Sequence, residues 1–190
     1  MKTTQKLLAT VMATLLVWAT SATAFAIDSG FGSAGVDANK DYTLTEMLNY
    51  AIQDEYLAQA EYNSIIDSFG TKPPFTNVIQ AEQNHISALK TLFAQYGAAL
   101  PKDTADEYVV VPASLLDAYK AGVEAEVANI AMYETFLKQE LPDDISQVFT
   151  ALRNASEHHL AAFQKGVERL EGGTAHVAGN QRDQTRNRSW

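Results

Sequence analysis

Residues 75–96, FTNVIQAEQNHISALKTLFAQY, decide the fold. Phe75, Val78, Ile79, Ile86, Leu89, Phe93 and Tyr96 recur at the spacing of one face of an α-helix. Pro73-Pro74 stands before the stretch and Gly97 after it, the punctuation that opens and closes a helix. Two polar residues break the apolar stripe: Glu82 and His85, three apart, share its face. A buried carboxylate without a partner costs several kcal/mol or takes up a proton, so this pair asks for company.

The company comes from three further helical segments. The first opens with Thr43 and Glu46 at capping-box spacing and closes at Gly70. Its stripe of Leu44, Leu48, Ile52, Tyr62, Ile66 and Phe69 is interrupted by Glu55. The third follows Pro112 with Leu116, Tyr119, Val123, Ile130, Tyr133 and Leu137 inward, interrupted by Glu126. The fourth opens after Pro142, with Asp143 and Asp144 suited to the positive helix start, and is expected to end near Gly172-Gly173. Its stripe includes Ile145, Leu152, Ser156, Phe163 and Leu170. His159 falls on it, whereas the neighbouring His158 is rotated off by about 100°. Between the second and third segments, residues 98–111 form a long connection that can span the length of a bundle.

The two halves repeat. Glu55 precedes Tyr62 by seven residues and Glu126 precedes Tyr133 by seven, while AEQNH at 81–85 has its counterpart in ASEHH at 155–159. Each half is a helical hairpin carrying a lone Glu on its first helix and a His on its second, and two such hairpins make an all-α bundle. Glu55, Glu82, His85, Glu126 and His159 are the candidate metal ligands. Carboxylates suit hard cations, and imidazole suits iron, manganese or zinc. Tyr62 and Tyr133 are candidates to hold those ligands by hydrogen bonds, with Asn129 and Ser156 beside them.

DEYLAQAEY at 54–62, AEQNHISAL at 81–89, AGVEAEVANI at 121–130 and ASEHHLAAF at 155–163 resemble the ferritin-like superfamily. The likeness is to rubrerythrin-type proteins and, more narrowly, to an often exported branch classed as a domain of unknown function. The resemblance implies a ferritin-like up-down four-helix bundle over 43–171, with a long connection between helices two and three and a metal in its middle. The chain departs from the di-iron pattern at Ser156, where a carboxylate should precede His159, and at Asn129, where rubrerythrin-like proteins carry another Glu. With three carboxylates and two neutral imidazoles, one divalent ion leaves a net charge of about -1 and two leave about +1, so a two-metal site calls for a further anion.

The ends and composition bound the rest. Lys2, Lys6, the apolar run Leu7 to Ala19 and Ala24-Phe25-Ala26 make residues 1–26 a cleaved signal peptide, which implies export to a periplasmic or extracellular location. No further segment reads as a membrane span. Residues 27–42 are small and Gly-rich and are expected to be a flexible linker; residues 172–190 lack helical period and are expected to be a disordered tail. A formal charge of -9 argues against binding nucleic acid and for attracting cations. The absence of cysteine excludes disulfides and the cysteine-ligated iron through which rubrerythrin peroxidases take electrons.

The expected function is an exported metal-binding protein that oxidises ferrous iron or reduces peroxide at a mono- or di-metal site. Iron is the leading cofactor, with manganese or zinc as alternatives, and a homo-oligomer is compatible with this reading. The alternative is a structural or interaction protein of the cell surface or extracellular space whose metal site has degenerated, as Ser156 and Asn129 suggest.

Overall fold

The computed structural model describes residues 30–70 and 72–186, with 173–186 described by their backbone alone. The expected signal peptide lies outside the described residues. Four helices carry the chain: α1 (Leu44–Phe69), α2 (Phe75–Gln95), α3 (Leu115–Leu137) and α4 (Asp143–Arg186). Short 3-10 turns occupy Gly32–Gly35 and Ala105–Glu107, and no strand occurs among the described residues.

The local signals act where they stand. Thr43 Oγ1 accepts from the Glu46 backbone N–H at 3.3 Å, and Glu46 Oε2 accepts from the Thr43 N–H at 2.8 Å, so two orphan donors at the start of α1 are satisfied reciprocally. Gly70 closes α1 at a φ of +80°, which L side chains rarely adopt. Ser114 caps α3 by accepting from the Asp117 N–H at 3.1 Å.

Side-chain contacts set the helix directions. Glu55 of α1 meets His85 of α2 while Tyr62 meets Phe75, so these two helices run oppositely. Tyr62 bonds to Glu126 and Tyr133 to Glu55, which makes α1 and α3 opposed as well. Across α3 and α4, Asn129 meets Ser156 and Tyr133 meets Phe149, again in opposite order. The α2–α3 connection therefore joins two helices of like direction and must travel their length. On the way its Tyr108 stacks on Phe31, with ring centroids 4.3 Å apart.

The interior is divided. One apolar cluster gathers Leu48, Ile52, Leu89, Phe93, Phe136 and Phe149; the other gathers Tyr62, Ile65, Phe75, Val78, Tyr119 and Phe163. Glu82 and Glu126 lie between them in sequence along α2 and α3, and Glu55 lies near the end of the run of α1 that feeds the first cluster, each at most 4 % exposed.

Two expectations at the chain ends are corrected. The segment expected as a flexible linker is packed over its described part: Phe31 is buried in the first cluster, and the backbone N–H of Ser33 donates to Asp54 Oδ1 at 2.6 Å. Gly32, at a φ of +59°, makes this approach, since a Cβ there would stand 2.6 Å from Asp54 Oδ1. A Gly-rich composition allows flexibility, but one large apolar residue with a site to fill is enough to dock it. At the other end the helical backbone of α4 passes Gly172-Gly173, the expected stop, and continues to Arg186. Glycine in a helix costs only about 1 kcal/mol and need not end one that has already run about eight turns.

Candidate metal centre

Helical periodicity places five polar side chains at one level, and the fold brings them together. His85 Nδ1 lies 2.8 Å from Glu82 Oε2 and 3.1 Å from Glu55 Oε2. His159 Nδ1 lies 3.4 Å from Glu82 Oε1 and 3.5 Å from Glu126 Oε1. Two three-residue groups result, Glu55–Glu82–His85 and Glu82–Glu126–His159, each with its ligand atoms within 4.8 Å of one another. Glu82 belongs to both and turns one oxygen to each. The two imidazoles stack at 5.8 Å, tilted by 26°. His158, one residue away, is exposed on the outside of α4.

Burial and mutual charge set the electrostatics. Burial, reinforced by the charge of Glu82, pushes Glu55 up to about 7. Burial likewise raises Glu126. It would raise Glu82 too, but the imidazoles of His159 and His85 outweigh it and hold this carboxylate below its usual value. For the histidines burial alone would lower the pKa; Glu55 and Glu82 instead raise His85 to about 10, and Glu126 and Glu82 raise His159 to about 9. Glu82 is thus the anionic centre around which the other four are arranged.

The donor set fits a cation. His159 Nδ1 is buried and, for all its nearness to two carboxylates, has no hydrogen-bond partner. Metal bonds of about 2.1 Å place ligand atoms about 3.0 Å apart at right angles and about 3.4 Å apart at tetrahedral angles. The separations of 2.8 and 3.1 Å at His85 Nδ1 and of 3.4 and 3.5 Å at His159 Nδ1 lie within about 0.2 Å of those values. All the donors are oxygen or imidazole nitrogen, the set that suits iron, manganese or zinc.

Both tyrosines singled out by the internal repeat reach this cluster across the halves. Tyr62 donates to Glu126 Oε1 at 2.9 Å, and Tyr133 donates to Glu55 Oε1 at 2.8 Å. Burial and the carboxylate beside each raise both phenols well above their usual value, so each remains a donor. Each thereby fixes the outer carboxylate of one group.

Asn129 and Ser156 do something else. Ser156 Oγ donates to Asn129 Oδ1 at 2.7 Å, and Asn129 Nδ2 donates to Asp54 Oδ2 at 2.6 Å. Ser156 Oγ also reaches Leu152 O at 3.2 Å, and none of these bonds joins the pair to the five clustered residues. Asp54 was missed in the sequence, because it lies beside Glu55 but off the stripe that carries it. The signal was a second, shorter stripe, Met47, Ala51, Asp54 and Ala58, which helix α1 needs because it is covered on more than one side. Glu61 was missed for the same reason. Burial, then the charge of Asp54, raises its carboxyl to about 7.

A cavity of about 200 Å³ adjoins the cluster between α1 and α3. Glu55, Glu82 and Glu126 contribute to its wall, as do Asp54, Asn129 and Ser156.

A family model described as an uncharacterized protein domain, DUF2202, matches residues 45–178. Among solved structures, the chain is similar to a hypothetical protein from Methanococcus jannaschii with a TM-score of 0.60, covering 70 % of this chain and 85 % of that one. The two are 22 % identical, so the likeness speaks for the fold alone. No curated protein matches the chain.

Proposed function

Because the chain belongs to the DUF2202 family, which is defined by a shared domain and not by an activity, its chemistry rests on its own residues. We propose that it is an exported, ferritin-like metal-binding protein whose Glu55, Glu82, His85, Glu126 and His159 would hold two divalent ions, with Glu82 common to both groups and a further anion balancing the charge. Glu55 and His85 complete one position; Glu126 and His159 complete the other. The observation that carries this reading is the division of labour within Glu82, whose Oε2 faces His85 and whose Oε1 faces His159.

The ferritin-like assignment draws support from the helix directions, the long connection between α2 and α3, and the origin of the ligands. One Glu comes from each first helix of a hairpin, a Glu-x-x-His from α2 and a His from α4, in the manner of bundle proteins that hold carboxylate-bridged metals. Iron is the proposed ion, and the same donors accept manganese or zinc. Bound iron would supply one-electron chemistry, and oxidation of ferrous iron or reduction of peroxide is the proposed reaction class. The protein's own part is to hold the carboxylates in place through Tyr62 and Tyr133 and to confine the centre between two apolar clusters.

Elemental analysis of protein purified without a metal-affinity tag tests this reading, with about two equivalents of divalent metal expected. A metal content no higher than that of the double variant Glu82→Ala, His85→Ala would sink it. That result would favour the structural or interaction protein, in which the cluster is a hydrogen-bonded polar core. The chain Ser156–Asn129–Asp54 is the feature that favours this second reading, because it occupies two positions a fuller metal site would use.

Export is the other half of the proposal and rests on Lys2, Lys6, the apolar run and Ala24-Phe25-Ala26. N-terminal sequencing of the protein recovered outside the cytoplasm should begin at or near Ile27; recovery only inside the cell with residues 1–26 intact overturns it.

A further inference from the structure

The cavity between α1 and α3 has two unlike ends. Its inner wall is formed by Glu55, Glu82 and Glu126, the carboxylates of the cluster. The less buried part of its lining includes Ala58 of α1, Ala121 and Ala125 of α3, and Ser33 of the docked N-terminal segment. Ala58 on α1 and alanines at successive turns of α3 leave a gap that larger side chains would close. Glu61 and the exposed Glu124 line it as well.

Glu61 is the residue without a structural reason. It is half-buried, and among the described residues it makes no hydrogen bond and no ion pair. Asp54 is different: Ser33 and Asn129 occupy its two oxygens, so it serves as a fixed part of the wall. A carboxylate held in a confined, carboxylate-lined space without a partner is stabilised by a passing cation and repels anions.

We propose that this cavity is the entrance by which divalent cations reach the centre, and that the Glu61 carboxylate draws them in. The inference rests on the metal-binding reading above. The volume of about 200 Å³ corresponds to about six or seven water molecules, room for a divalent cation with most of its inner hydration shell. The ion exchanges those waters for carboxylate oxygens as it moves from Glu61 to Glu55, Glu82 and Glu126. The opposite approach passes His85 and His159, whose side chains are 11 % and 12 % exposed, and offers imidazoles in place of carboxylates.

The test follows cobalt(II) uptake by chelator-treated protein through its visible absorption in a stopped-flow mixer. Glu61→Gln keeps the shape of the side chain and removes the charge. It should slow uptake about tenfold, with the final stoichiometry unchanged and with less dependence on ionic strength than the parent shows. Ala121→Phe, which plugs the gap about one and a half turns of α3 before Glu126, should slow it at least as much. Should Ala121→Phe fail to fold, Glu61→Gln decides alone. Uptake by both variants at the parent's rate overturns the entrance while leaving the centre intact. A reduced final stoichiometry in Glu61→Gln overturns it by making Glu61 part of the centre. A parent that takes up no cobalt sinks the metal-binding reading and the entrance together.

Discussion

Replacing Glu82 with alanine is expected to lower bound metal from about two equivalents to near none, whereas His85→Ala or His159→Ala should each retain about one. The asymmetry follows from the geometry. His85 approaches only Glu82 Oε2 and Glu55, and His159 only Glu82 Oε1 and Glu126, so each histidine serves one position. Glu82 alone serves both. Loss of an outer hydrogen-bond partner of a metal ligand commonly weakens affinity about 10–100-fold, and loss of a shared ligand should exceed that at both positions. Glu82→Gln separates charge from shape, since it retains the side-chain volume while removing the anion that holds both imidazoles. Elemental analysis and isothermal titration with a single metal, with helical content followed by circular dichroism, provide the readout. If Glu82→Ala loses no more metal than His85→Ala, Glu82 does not serve both positions.

The largest effect on stability is expected at Gly166, where the Tyr119 ring of α3 lies against α4. A Cβ at this position would stand 2.1 Å from the ring of Tyr119, well inside any tolerable contact. The ring has little freedom to retreat. Its hydroxyl donates to Pro73 O at 2.8 Å and accepts from Arg169 at 3.2 Å, and its face lies 5.1 Å from the Phe75 ring. Gly166→Leu should therefore cost about 3 kcal/mol or more, the upper end of the overpacking range. For a chain of this size that corresponds to a fall in Tm of roughly 6–12 °C. Gly172→Leu is the control, because a Cβ there meets nothing within 4 Å and the change should leave Tm within a degree or two of the parent or raise it. Equal melting of the Gly166→Leu variant and the parent would show that α3 and α4 pack less tightly than described.

These expectations differ in how visible their basis was in the sequence. The helix starts at Thr43 and after Pro142 and the stops at Gly70 and Gly97 were readable, because capping and chain reversal depend on neighbouring residues. The preference for His159 over His158 was readable for a similar reason: the two differ by about 100° around one helix, enough to put one inside and the other out. Asp54 and the docked segment around Phe31 were not. What buries them is a partner distant in sequence, Asn129 for Asp54 and Tyr108 for Phe31, and composition alone gives no hint of either.

By itself, then, the sequence determined four helices, their punctuation and the five polar residues that interrupt their buried stripes, since all of these follow from local capping and a period of 3.6. Only the tertiary structure decided that Glu82 is shared between two imidazoles, that each tyrosine serves the carboxylate of the opposite half, and that a gap remains open between α1 and α3. Those properties depend on the separation and relative rotation of helices brought together by a long connection, where shifts of an ångström or two decide which atoms meet; a periodic pattern within one helix carries no information at that scale.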